Sequence, residues 1–140
     1  MDFDIVQVPY SIFDQRFDEV FGEMKARGVE IHVRSIFLQG VFFRSPDALP
    51  QHFKSIEEQI RSLHEMAQSS GLGIAALCLG FGLMHPHIDQ VVIGVDRVEN
   101  LEENLRVARD LDQVKAYRDQ LSALRVDDEQ IILPVNWVLD

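Results

Sequence analysis

The sequence predicts an α/β fold in which three parallel strands alternate with helices and form part of a barrel wall. Three observations carry this expectation. Short β-prone runs alternate with helical patterns in the order β-α-β-α-α-β-α-α, and strands joined through helices make right-handed crossovers and a parallel sheet. The second strand sorts its side chains by face, with Val29, Ile31 and Val33 on one side and Glu30, His32 and Arg34 on the other. Helices on one side and polar groups on the other suit a barrel wall whose inner face ends at an active-site mouth. The chain has 140 residues, whereas a closed barrel of this kind takes about 250. Only part of a barrel is therefore expected.

Each element has its own signal. Ile5-Val6-Gln7-Val8 is β-prone and Pro9 stops it. Phe13, Phe17, Val20, Phe21 and Met24 follow at helical spacing, with Gly28 placed as a helix C-cap. After the second strand, Arg34–Pro50 reads as a long loop containing Gly40, Pro46 and Pro50. Phe53, Ile56, Ile60, Leu63 and Ala67 recur three and four apart, an amphipathic helix that Gly71 and Gly73 break. Ile74–Met84 is a mostly apolar second helix ended by Pro86, and Val91–Ile93 is the third strand. Asp96 and Glu99 fit a capping box that starts a helix near Arg97, whose apolar face holds Leu101, Leu105 and Ala108. Leu111–Leu124 reads as one more helix and residues 127–140 as an irregular tail, all within a single unit spanning 1–140.

Composition narrows the function classes. Apolar residues make up 46% and charged residues 26%, an ordinary globular balance. Thirteen Lys+Arg against 23 Asp+Glu give a formal charge of −10. This disfavours nucleic acid and anionic membrane as partners, because phosphate surfaces recruit clustered cations. The lone Cys78 excludes an internal disulfide, so the chain reads as intracellular and cytoplasmic. Neither a signal peptide nor an apolar run of membrane-spanning length is visible.

The chemistry concentrates at the strand ends. The segment VVIGVDRVENLEEN runs from an apolar strand through a Gly turn into a helix start, where free amides and the helix dipole favour an anion. Together with IVQVPYSIFDQR and GVEIHVRSIFLQGVF upstream, it resembles the C-terminal part of the aldo-keto reductase family over about residues 2–110. The resemblance implies a TIM-barrel fold, of which the three strands are the sixth, seventh and eighth, and hydride transfer between NADP(H) or NAD(H) and a carbonyl. It implies that Gln7 holds the nicotinamide carboxamide. Arg34, Ser35, Leu38, Gln39 and Gly40 belong to the loop over the pyrophosphate, to which a hydroxyl and backbone amides contribute. Gly94, Val95, Asp96 and Arg97 meet the adenosine end, and Glu103 and Asn104 bind the adenine. Two positions depart from the pattern. Arg34 stands where several branches stack an aromatic ring, and Asn100 stands where many members carry an Arg for a 2'-phosphate. The choice between NADP and NAD stays open.

The family's catalytic tetrad of Asp, Tyr, Lys and His lies on its first four strands, to which no segment here corresponds. Tyr10 and Tyr117 lie outside any such motif, and Lys25, Lys54 and Lys115 fall at solvated helical positions. The chain therefore reads as a C-terminal fragment, cofactor-binding but inactive alone, whose partner is the missing N-terminal part of the barrel or a second copy. The competing reading is a non-catalytic module that self-associates through open strand edges. Gly71-Leu72-Gly73-Ile74-Ala75-Ala76 matches a dinucleotide fingerprint formally, but it follows a helix and reads as a helix–helix turn. His85-Pro86-His87 lacks a third ligand and reads as a polar turn, not a metal site, and Cys78 reads as a core thiol. For the tail, Ile131, Ile132, Leu133, Val135, Trp137 and Val138 would serve as a lid across the open sheet face.

Overall fold

A computed structural model of the chain describes residues 2–109 and 111–138. Three strands form one sheet in the order β1 (Ile5–Pro9), β2 (Glu30–Arg34), β3 (Gln90–Val91). Both pairings are parallel: Gln7 lies opposite His32, which lies opposite Gln90, and one row on Val8 meets Val33 and Val33 meets Val91. Helix α1 (Asp18–Ala26) crosses from β1 to β2. Helices α2 (Glu57–Ser70) and α3 (Ile74–Leu83) cross from β2 to β3. Helix α4 (Val98–Arg109) follows β3. The result is an open three-stranded wall with helices on one side.

The alternation in β2 decides which side. Ile31 and Val33 are fully buried against the helices, whereas Arg34 is exposed on the opposite face. On that inner face the Glu30 carboxylate accepts from the His32 ring at 2.7 Å and from Gln90 Nε2 at 3.2 Å. Ile5 is 54% exposed there and Gln7 is exposed beside it. The inner face is thus part apolar, part polar and open.

Helix α3 lies at the centre of the core because it is apolar all round and nearly smooth. A Cβ on Gly80 would stand 2.7 Å from Val114 Cγ1, and one on Gly82 would stand 2.6 Å from Ile36 Cδ1. Both glycines therefore let neighbouring segments approach the helix backbone. Gly28 and Gly71 end α1 and α2 in the left-handed conformation, at φ +79° and +73°, which a Cβ would oppose.

Several expectations need correction. The first helix starts at Asp18, so Phe13 and Phe17 precede it. Residues 10–15 instead form a buried irregular loop. Its backbone is satisfied by its own side chains, with Asp14 N donating to Ser11 Oγ at 3.0 Å and Gln15 Nε2 to Ile12 O at 2.6 Å, and a second Gln15 Nε2 bond reaches the distant Ser122 O at 3.1 Å. The long loop after β2 contains 3-10 turns at Leu38–Phe43, Pro46–Ala48 and Gln51–Ile56. The single helix expected over 111–124 is two short ones, α5 (Asp112–Lys115) and α6 (Arg118–Ser122), interrupted at Ala116-Tyr117.

The tail is ordered differently from the expectation over its described residues, 127–138. Helix α7 (Glu129–Ile132) is N-capped by Asp128, and a 3-10 turn spans Pro134–Asn136. Ile131 and Ile132 are buried, and the Trp137 ring meets Phe53 edge-on at 4.9 Å. This anchors the tail to the segment before α2. The lid over the inner face does not form there, since Ile5 and Gln7 stay exposed. Among the described residues no single helix is long and apolar enough to cross a membrane.

Candidate functional site

At the carboxyl ends of the strands, the chain after β2 makes an unusual turn. Ser35, Leu38 and Gln39 have φ of 63°, 43° and 51°, and Gly40 follows at 84°. Left-handed backbone costs a non-glycine residue about 1–2 kcal/mol, so such a cluster persists only where surrounding packing fixes it. Here Ile36, Leu38, Val41 and Phe42 are buried on either side and do so. These four left-handed residues are four of the five that the resemblance assigns to the pyrophosphate loop, Arg34 being the fifth.

Their amides are not equivalent. Leu38 N donates to Ser35 O and Gly40 N donates to Phe37 O, each at 2.9 Å. Those two amides serve the turn itself, which corrects the expectation that they are offered to a ligand. Among the described residues no protein acceptor meets the Ser35 amide, the Gln39 amide or the Gln39 side chain, which with the Arg34 guanidinium are the turn's remaining donors. Arg34 Nη1 donates to Ser35 Oγ at 3.1 Å. No carboxylate is ion-paired with it among the described residues, although the chain is strongly acidic.

Two cavities lie along this turn and join. One, bounded by Arg34, Ser35, Phe37, Gln39, Val92 and Gly94, runs over the ends of β2 and β3. The other has a volume of about 450 Å³ and is walled by Phe37, Phe43, the start of α3 at Gly73–Ala75, Gly94, Val95, and Asn100, Glu103 and Asn104 of α4. Phe37 and Gly94 border both, so a continuous groove leads from Arg34 to Asn104. At the Asn104 end Phe37 and Phe43 place two rings 5.7 Å apart. A third cavity, of about 260 Å³, lies across the turn between Tyr10, Arg34, Gln39 and the tail residues Ile132–Val135.

Asn104 is the most telling wall residue. It is 8% exposed on a helix that is otherwise largely in solvent. No protein hydrogen bond to its amide occurs among the described residues. Its amide atoms are not among the fully buried unpaired ones, so they open onto the cavity, where an amide offers a ligand both a donor and an acceptor. Glu103 approaches the other wall, its Oε1 lying 3.5 Å from where a Gly73 Cβ would be. Gly73 thus leaves room for that carboxylate.

The expected residues do not all converge. Arg34, Ser35, Gln39, Gly94, Val95, Glu103 and Asn104 line the cavities, and Leu38 and Gly40 shape the turn beside them. Gln7 lines none of these three cavities; it lies on the inner face two rows in from Arg34, opposite His32. Asp96 and Arg97 are exposed at the start of α4. Asp96 Oδ1 accepts from Asn100 Nδ2 at 2.9 Å, and the Arg97 carbonyl accepts from the Leu101 amide at 3.3 Å. The expected capping box of Asp96 and Glu99 is therefore not seen among the described residues, and the Asp96 carboxylate meets a side chain instead of a first-turn amide. Phe37, Phe43 and Gly73–Ala75 were missed. The phenylalanines carried no signal beyond their apolar rings, and Gly73, read as part of a helix–helix turn, in fact lines a cavity wall.

Acid–base candidates are confined. Tyr10 is 1% exposed and stacks on Phe81 at 5.7 Å. Burial, with the Asp18 carboxylate beside it, raises its phenol above the usual range. Lys25, Lys54 and Lys115 pair with Asp89, Glu57 and Asp112. Burial likewise raises the Cys78 thiol, as expected of a core cysteine. His87 N donates to His85 Nδ1 at 3.2 Å, the geometry of a polar turn.

A parallel strand wall with helices outside and a groove at the strand ends defines the class: a segment of a (β/α) barrel whose ligand face is that of the barrel mouth. The family model for the Aldo/keto reductase family matches residues 1–119, and the chain belongs to that family. No curated protein matches the sequence. Solved structures agree on the fold. A thermostable aldo-keto reductase, Tm1743, in complex with the inhibitor epalrestat, is 23% identical with a TM-score of 0.62, covering 86% of this chain and 39% of its own. The apo form of aldo-keto reductase AKR11C1 from Bacillus halodurans is 20% identical with a TM-score of 0.66, covering 94% of this chain and 47% of its own. The holo form of that protein gives 20%, 0.62, 86% and 42% in the same order. The chain spans less than half the length of these structures.

Proposed function

We propose that this chain is the NAD(P)-binding C-terminal part of an aldo-keto reductase-like oxidoreductase. The dinucleotide would lie along the groove, its adenine against Phe37 and the amide of Asn104, its pyrophosphate over the Ser35–Gly40 turn. The observation that carries this reading is the Asn104 amide, without a protein partner among the described residues and set in the cavity wall, at one end of a groove whose other end is a left-handed turn. When bound, such a cofactor supplies hydride for carbonyl reduction. What the chain itself does is bind and orient it, because the groove contains no Tyr–Lys pair to donate a proton. Turnover is assigned to the assembled barrel, with the N-terminal βα units as partner, and carbonyl reduction is not expected from this chain alone.

The wall around Asn104 also bears on cofactor choice. It contains the Glu103 carboxylate and no Lys or Arg, and Asn100 is tied to Asp96. A 2'-phosphate would meet an acid without a cation, which favours NAD(H) over NADP(H). Arg97, exposed one turn away, is the group that would reverse the preference. Calorimetric titration with each dinucleotide tests the reading. Binding weaker than about 10 µM is expected, since much of the nicotinamide-side wall is absent and each tenfold corresponds to about 1.4 kcal/mol. No binding at millimolar ligand overturns it. The second reading, self-association through strand edges, is favoured by the unpaired outer edges of β1 and β3. It predicts an oligomer indifferent to dinucleotide.

A further inference from the structure

Across the Ser35–Gly40 turn from the groove lies a smaller cavity that the cofactor reading leaves unassigned. Its volume is about 260 Å³. That is below the about 300–1,000 Å³ of drug-sized sites, so it suits a small molecule and not a dinucleotide. Pro9 and Tyr10 at the end of β1 form one wall, Leu38 and Gln39 of the turn a second, and Ile132–Val135 of the tail a third. Most of these side chains are apolar. Ile132 is 1% exposed, and the Asp128 cap and the Trp137 contact with Phe53 hold the tail on either side of it. The third wall is therefore fixed by the fold.

The charge at this cavity has one sign. Asp14 is its only acidic wall residue, and Arg16 Nε and Nη2 donate to its two oxygens at 2.7 and 3.0 Å. Arg34 is its only basic one. Arg34 is exposed, and no carboxylate is ion-paired with it among the described residues of a chain whose formal charge is −10. Its Nη1 is oriented by Ser35 Oγ at 3.1 Å, which leaves most of its donors for a ligand. A guanidinium grips a carboxylate through two parallel hydrogen bonds. An apolar cavity with one such group at its edge selects a small acid with an apolar body.

Position links the cavity to the groove. Arg34, Ser35 and Gln39 border both. With adenine at Asn104, the reacting end of a dinucleotide lies at the Arg34 end. The small cavity opens at that end. We propose that it is the hydride-acceptor pocket and takes a small carbonyl compound bearing a carboxylate, held by Arg34, with its apolar body between Tyr10 and Ile132–Val135. Arg34 is then the residue that sets the substrate class. This assignment rests on the dinucleotide reading above.

NMR titration of the isotope-labelled chain with benzoylformate, its methyl ester and inorganic phosphate, each to about 20 mM, tests it. Benzoylformate should shift the amides of Tyr10, Arg34 and Leu133 with a Kd of about 1–10 mM, since one ion pair and a small apolar contact supply the affinity. The ester has nearly the same shape without the charge and should bind at least about 10-fold more weakly. Phosphate should leave Leu133 unshifted. Arg34→Gln, at an exposed position, should abolish the preference for acid over ester. Arg34→Lys should restore part of it, because lysine keeps the charge without the fork. Acid and dinucleotide should bind together. Equal affinity for acid and ester, or a preference that survives Arg34→Gln, overturns the proposal. So do the same shifts with phosphate, which would mark an adventitious ion only, and displacement of the acid by dinucleotide, which would put Arg34 on the pyrophosphate. Dinucleotide binding without a preference for the acid overturns this pocket alone. Acid binding without dinucleotide binding overturns the acceptor role together with the oxidoreductase reading.

Discussion

Replacing Asn104 with leucine separates binding from stability. The amide is 8% exposed and has no protein partner among the described residues, so its removal breaks no hydrogen bond of the fold. The amide atoms open onto the cavity and are not fully buried, so their cost falls below the about 1–3 kcal/mol of a buried unpaired amide. Leucine has nearly the same shape and removes what cost there is while adding apolar contact. Asn104→Leu should therefore leave stability unchanged or raise it by up to about 1 kcal/mol, which corresponds to a Tm rise of up to about 4 °C in a domain of this size. The same change should weaken dinucleotide binding. Two hydrogen bonds to adenine, each worth about 0.5–1.5 kcal/mol, correspond to roughly 5- to 150-fold in Kd. Scanning calorimetry gives the first quantity and isothermal titration the second. A fall in Tm would mean that Asn104 is satisfied within the protein, and unchanged affinity would remove it from the site. Either result refutes the argument built on its missing partner.

Three other substitutions probe the scaffold. Gly80→Ala should destabilise by up to about 2 kcal/mol in denaturant melts. Its Cβ would lie 2.7–3.0 Å from the stiff Val114 side chain, and overpacking of about 1–3 kcal/mol outweighs a helix-propensity gain of about 1 kcal/mol. Gln39→Gly should stabilise by about 1 kcal/mol, because residue 39 has φ 51° and glycine relieves the left-handed strain. Increased affinity for dinucleotide in that variant would show that the strain does not serve binding. Asp89 is held below the usual carboxylate range first by the Ile31 amide, at 2.7 Å, and then by Lys25. A depressed carboxylate contributes stability that is complete above its unfolded pKa, about 3.9, and is lost as pH falls through the folded value. Asp89→Asn should therefore lower stability at pH 7 and flatten the loss below about pH 4 in acid melts; an unchanged acid limb would count against this clamp.

The sequence by itself determined the alternation of strands and helices, the parallel sheet, and which face of β2 is buried. It could do so because period-two and period-3.6 patterns report burial directly, and Val29, Ile31 and Val33 have one buried side whatever packs on it. It also determined the family, through three ordered motifs that fix local backbone. The left-handed turn at Ser35–Gly40 was legible only as a motif, since Leu38 and Gln39 carry no intrinsic preference for positive φ. Tertiary packing decided the rest. Phe13 enters the core from a loop because Ser11, Asp14 and Gln15 satisfy that loop's backbone, a long-range arrangement that includes Ser122. The tail joins the core through Trp137 on Phe53 and leaves the inner sheet face open. Most consequentially, the apolar side of α4 faces outward and Asn104 faces inward. Periodicity shows that a helix has two faces, but which one meets the fold depends on what surrounds it. Here that is a cavity walled by Phe37, Phe43 and the start of α3, into which the Asn104 side turns, so the leucines are left in solvent.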